Sequence, residues 1–203
     1  MNLGSVLMTG VLLLIAAALY FYERRKVHVR ELALIVSVAA VAGISRVPFA
    51  GLPSVQPTTF IVLYSGFVLG PFIGAAIGMT AAWISNLFLL QGPWTPWQML
   101  AWGLVGVTGG LVSLRAQRYS RTTLLVLGFL WGFLFGWIMN FWYWAAFAYP
   151  LNWKTFVSVN GASLLFDAAH AAGNVVFILI FGEPLFKILT RCKDKLVFVH
   201  FRS

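Results

Sequence analysis

What most constrains this chain is where its charges fall. Apolar runs follow one another from residue 3 to residue 182, and Lys and Arg gather in short clusters between them. Of the 203 residues, 61% are apolar and 9% are charged. A soluble domain of this length lacks the polar surface to cover so much hydrocarbon, so the chain belongs in a bilayer. It is also too short to carry a separate soluble domain beside the membrane part. The net charge of +9 fits the same reading: basic residues spaced by apolar runs write membrane topology and do not form a nucleic-acid face. A single cysteine, Cys192, lies in a basic tail, which excludes an internal disulfide.

The runs predict helices over 3–22, 29–45, 57–70, 72–90, 97–114, 122–144 and 160–182. An amphipathic basic helix follows Gly182-Glu183-Pro184 and continues through Lys195. The stretch 57–90 is broken only by Gly70-Pro71. As one helix it would be about 51 Å long, too long for a hydrocarbon core of about 30 Å. Read as two spans, it puts twelve of the fourteen Lys and Arg on one side: Arg24, Arg25, Lys26, Arg30, Arg115, Arg118, Arg121, Lys187, Arg191, Lys193, Lys195 and Arg202. Only Arg46 and Lys154 fall opposite. The expectation is seven spans in an all-α integral membrane protein, N-terminus outside and C-terminus inside. Residues 1–22 carry no Lys or Arg and a basic cluster follows them, which suits an anchor and not a cleavable signal. Glycines four apart (Gly66, Gly70, Gly74 and Gly78, then Gly128, Gly132 and Gly136) predict close helix packing inside the bundle.

This topology gathers the scarce polar residues at one level. Arg46, Gln56, Thr59, Asn86, Gln98, Asn140, Asp167, His170 and Asn174 all map to the outer half. So do Trp94, Trp97, Trp137 and Trp144. A carboxylate inside a span costs roughly 2.5–3.5 kcal/mol on insertion scales, so Asp167 is expected to face a cavity or a partner. Asp167, His170 and Asn174 stand at i, i+3 and i+7, and Arg46 is the nearest counter-charge. The bland alternative is a polar network that locks the last helix to its neighbours. Aromatic walls with a few aimed polar groups are the usual form of a small-molecule site. Nothing suggests catalysis. Three histidines with only one inside a span cannot build a buried metal site, there is no nucleophile elbow, and no Walker loop is present to use ATP.

Several stretches together resemble the substrate-binding S component of energy-coupling factor (ECF) vitamin transporters. They are Arg46-Val-Pro-Phe through Pro57, Gly70-Pro71, Ser85-Asn86, Gly92-Pro-Trp-Thr-Pro-Trp-Gln98 with Trp102-Gly103, and Asp167-x-x-His170 with Gly173-Asn174. The Gly92–Gln98 loop is most similar to that of the cobalamin-type S component. The resemblance implies a six-helix substrate-binding domain over 29–195, an additional N-terminal helix with its basic loop over 1–28, and a cytoplasmic tail over 196–203. It also implies a vitamin held near the outer face with no permanent cofactor, and docking on an ECF transmembrane coupling protein with two cytoplasmic ATPases that alone use ATP. The family's small-residue docking surface maps to Ala33, Ser37 and Ala40, with Ser37 replacing an alanine of the usual motif. For a corrin ligand, amides would pair with the rim and indoles would cover the faces. His170 would bond Asp167, or, as a lesser use, reach the cobalt. The implied place is a multi-pass protein of a bacterial plasma membrane. Another vitamin or a precursor such as cobinamide, a stand-alone carrier, and a ligand-free structural subunit are the competing readings.

Overall fold

In the computed structural model the described residues, 3–25, 27–116 and 119–200, form seven α-helices and one short 3-10 turn, with no strand among them. The helices are α1 (Leu3–Glu23), α2 (Val29–Ile44), α3 (Thr58–Leu69), α4 (Pro71–Leu89), α5 (Thr95–Ala116), α6 (Arg121–Phe147) and α7 (Trp153–His200); the 3-10 turn is Val47–Phe49. Six of the seven α-helices are long and apolar enough to cross a membrane. Lys26, Arg118 and Arg202, all expected on the cytoplasmic side, lie outside the described residues, as does the end of the tail, 201–203.

Helix α3 is the exception in length, and its position explains why. Twelve residues rise about 18 Å, well short of the hydrocarbon core. Every one of them is buried, because α2, α4, α5, α6 and α7 all pack around it. A helix walled by protein needs no lipid-facing length. Its C-terminus is set by Gly70, whose φ of 96° lies where only glycine sits without strain, and Pro71 opens α4 at once.

Backbones meet directly around α3. A Cβ placed on Gly66 would strike Gly106 of α5, one on Gly74 would strike Gly66, and one on Gly78 would strike the Trp102 carbonyl. On α5, Gly109 lies against the Leu63 carbonyl and Gly110 against Pro71. In α6, Gly128, Gly132 and Gly136 receive Ile178, Ala171 and Asp167 of α7. In lipid, where hydrophobic drive between helices is absent, such approaches supply the packing that holds a bundle together. The expected internal role of these glycines is therefore correct, except that Gly70 serves the turn.

The last helix departs furthest from expectation. The sequence reading starts it at 160; the chain enters α7 at Trp153, because Asn152 caps it: the Thr155 N–H donates to Asn152 Oδ1 at 3.0 Å. At its other end the helix runs through Pro184, and the amphipathic basic stretch continues it without a break. The proline removes one N–H from the ladder, and the flanking turns carry the helix past it. Helix α1 is the loosest element. Only Val11 and Ile15 are buried, in a small cluster with Trp97 against α5 and α6.

Replacing Gly106 by alanine should lower the melting temperature of the detergent-purified protein, with a cost of about 1–3 kcal/mol from overpacking. Gly161→Ala is the matched control, since nothing lies within 4 Å of the added Cβ. Equal melting of the two variants would rule out the glycine seam as a determinant of stability.

Candidate functional site

The 3-10 turn Val47–Phe49, which follows α2, brings Arg46 back over the end of α4. Arg46 Nε donates to Gln56 Oε1 at 2.6 Å, and Nη1 donates to Ser85 Oγ at 2.7 Å and to Asn86 Oδ1 at 3.3 Å. The guanidinium lies 4.9 Å from the centroid of the Trp102 ring, which it faces. Asn86 in turn donates from Nδ2 to Thr95 Oγ1 at 2.9 Å and to Gln98 Oε1 at 2.7 Å. Four elements thus converge on one half-buried arginine: the chain before α3, the ends of α2 and α4, and the start of α5.

The network continues inward. Trp102, fully buried, donates its indole N–H to Thr59 Oγ1 at 3.0 Å, and the same hydroxyl lies 2.9 Å from His170 Nε2. The His170 ring stands edge-on to Phe135, their centroids 5.2 Å apart. Arg46, Gln56, Thr59, Asn86, Gln98 and His170 therefore form one connected group. Ser85, Thr95 and Trp102 complete it. All three lie in the stretches that carry the family resemblance but are not among the expected site residues, although Thr95 and Trp102 flank Gln98 at one helical turn on either side.

A second set sits apart, between α6 and α7. Asn140 Nδ2 donates to Ser163 Oγ at 2.6 Å and to Asn160 Oδ1 at 3.2 Å, and Ser163 Oγ donates to Asp167 Oδ2 at 3.0 Å. The other Asp167 oxygen presses on Gly136. Trp144 donates to Thr155 Oγ1 at 3.0 Å. Outside this ladder Trp137, Trp153, Phe156, Val157 and Leu164 line a half-open groove of about 520 Å³. Thr155 and Asn160 stand before or at the expected start of the helix and give no signal in the sequence, and Ser163 figures there only as a serine that lacks the second glycine of a nucleophile elbow.

Several expectations are corrected here. Arg46 does not pair with Asp167; its contacts are neutral oxygens, and Asp167 turns toward α6. His170 bonds Thr59, not Asp167. Asn174 is fully buried against α6, where its Nδ2 donates to the Gly128 carbonyl at 2.9 Å, so the stripe 167–170–174 serves three different neighbours. Trp97 is also buried, packed toward α1 with no partner for its indole N–H, while Trp94 stands edge-on to Trp142. Residues at one depth thus divide between two clusters and do not line a single cup. On α2, Ala33 and Ser37 are exposed and Ala40 is half-buried, opposite the packed face of Ile35, Ala39 and Ala42.

Fold and site together define a multi-pass membrane protein with a polar centre near one end of its bundle. The chain belongs to the family of ECF-type riboflavin transporter S components, whose model matches residues 27–191. It is thus a multi-pass protein of a bacterial plasma membrane. Among curated proteins it is similar to a UPF0397 protein of Aliivibrio salmonicida and one of Vibrio atlanticus, each 29% identical over 85 residues, which are 39% of this chain and 46% of theirs. A UPF0397 protein of Aliivibrio fischeri is 31% identical over 78 residues, 36% of this chain and 42% of that protein. The matched chain spans under half the length of these relatives. No solved structure matches. The match begins at residue 27, so α1 precedes the family domain. None of these comparisons supports the cobalamin-type assignment; the matching family carries the riboflavin name.

Thr59→Val should destabilise the protein by about 2–6 kcal/mol, since it strands the Trp102 indole and the His170 nitrogen at once, at about 1–3 kcal/mol per buried group. Thr59→Ser should restore most of the loss. A thermal melt in detergent reads both, and an unaltered Thr59→Val melt would mean that the hydroxyl bridges nothing.

Proposed function

We propose that this protein is the substrate-specific subunit of an ECF importer and that it binds a vitamin at the Arg46-centred group. The family match over 27–191 supports the transporter role. The observation that carries the site is the chain of bonds Gln56–Arg46–Asn86–Gln98, with its aromatic floor at Trp102, at the end of the bundle that the positive-inside pattern turns outward. Riboflavin is the first candidate ligand, on the name of the matching family. Cobalamin is the second and rests on the Gly92–Gln98 loop alone.

Transport then requires an ECF transmembrane coupling protein and two cytoplasmic ATPases, because this chain has no nucleotide loop of its own. The exposed Ala33–Ser37 face of α2, with half-buried Ala40 beside it, is the proposed docking surface. Small side chains there let a partner helix approach closely in lipid.

Purified protein incubated with riboflavin or cobalamin should retain a yellow or red ligand through size exclusion. Arg46→Gln and Asn86→Ala should each lower affinity at least tenfold, about 1.4 kcal/mol. Ser37→Trp should abolish uptake by cells that contain the coupling module while leaving binding by the purified protein unchanged. Retention of neither vitamin would remove both ligand candidates. Uptake undiminished in Ser37→Trp would move the docking surface off α2.

A further inference from the structure

The orientation of every amide in the central network follows from the chemistry of one residue. A guanidinium has donors and no acceptor, so Gln56 and Asn86 must each turn an oxygen toward Arg46. Asn86 has then spent its oxygen, and its NH2 group faces Gln98 and Thr95, which obliges Gln98 to answer with Oε1. Oxygens are consumed along the chain and N–H groups are left over. Arg46 Nη2, Gln56 Nε2 and Gln98 Nε2 all remain outside these bonds.

The cation at the head of this chain also lacks a carboxylate. The protein has five acidic residues, Glu23, Glu31, Asp167, Glu183 and Asp194. Glu23 and Glu31 flank the basic loop between α1 and α2, and Glu183 and Asp194 lie in the basic stretch of α7. Asp167, the remaining one, is held by Ser163 on the α6 side. A half-buried guanidinium held by neutral oxygens and the face of Trp102, with no anion beside it, keeps most of its charge uncompensated.

We infer that the ligand of this site is anionic and that its carboxylate or phosphate oxygens are received by Arg46, Gln56 and Gln98. This rests on the group being the substrate site and narrows it: among flavins the preferred ligand is a phosphorylated form and not riboflavin itself, and the part that Arg46 recognises carries a negative charge and no donors. Phosphate and carboxylate are equivalent to N–H donors, and the planar guanidinium suits either.

The test uses inorganic phosphate as the probe, on full-length protein in a neutral, lipid-free detergent. Replacing chloride by phosphate at constant ionic strength should raise the wild-type melting temperature by roughly 2–4 °C. Arg46→Gln should lose that gain, and Lys154→Gln, which removes the other cation expected outside, should keep it. Should Arg46→Gln fail to fold, Gln56→Glu gives the same decision. It sets a carboxylate beside Arg46 and should melt higher than wild type without phosphate, with no further gain when phosphate is added. Flavin mononucleotide should then bind at least tenfold more tightly than riboflavin. No phosphate gain in the wild type, or an equal gain in Arg46→Gln, overturns the inference. So does a gain that appears only when phosphatidylglycerol is added, since the anion would then be a lipid headgroup. Tight binding of uncharged riboflavin, unaltered in Arg46→Gln, would also overturn it while leaving the vitamin-transporter reading intact.

Discussion

Direct contact between backbones at the centre of the bundle is the constraint on which this structure depends. Lipid tails are as apolar as the helix faces, so nothing expels these helices from the bilayer toward each other. They associate by packing, and packing is closest where Gly66, Gly74 and Gly106 remove every side chain between α3, α4 and α5. That seam lets α3 be short and wholly enclosed. An enclosed α3 in turn carries Thr59 into the protein interior, within reach of Trp102 on one side and His170 on the other. The polar network is therefore a consequence of the glycine seam as much as of the polar residues.

Arg46 plays the corresponding part for the electrostatics. Being a pure donor, it fixes which way each neighbouring amide points, and the pattern propagates from α2 through α4 to the start of α5. An uncharged residue at this position would leave each amide free to turn over, with no preferred polarity toward a ligand. The second polar ladder, Asn140–Ser163–Asp167, has no such organiser and reads as a lock between α6 and α7. It places the membrane-embedded carboxylate where a glycine makes room for it.

The order of the helices and the limits of all but α7 were legible from charge and apolar run length, because both are set by the bilayer and not by neighbours. Residues 57–90 resolve into α3 and α4 at the Gly-Pro pair as the charge pattern required. Direction around each helix was not legible. Trp137, Asn140 and Trp144 share a face of α6, yet that face meets the early turns of α7, which lie before the helix predicted from residue 160 because Lys154, Thr155 and Ser158 interrupt the apolar run. Trp97 sits one residue from Gln98 and about 100° around the helix from it, which turns it toward α1 and away from Arg46. Polar residues at a common level converge only if their azimuths agree, and a lone sequence carries little about azimuth when most helices are apolar all round.

The unbroken run of α7 has a mechanical consequence. At 1.5 Å per residue its 48 residues make a rod of about 72 Å, more than twice the thickness of the hydrocarbon core. His170 and Asp167 ride toward its N-terminal end and the basic turns around Lys187 toward its C-terminal end. For any given tilt about the N-terminal tip, the far end sweeps an arc about two and a half times that of the 19-residue α4. Small rearrangements at the polar centre are thereby geared up into large excursions on the opposite side of the membrane, with Pro184 as the one place where the lever has lost a rung.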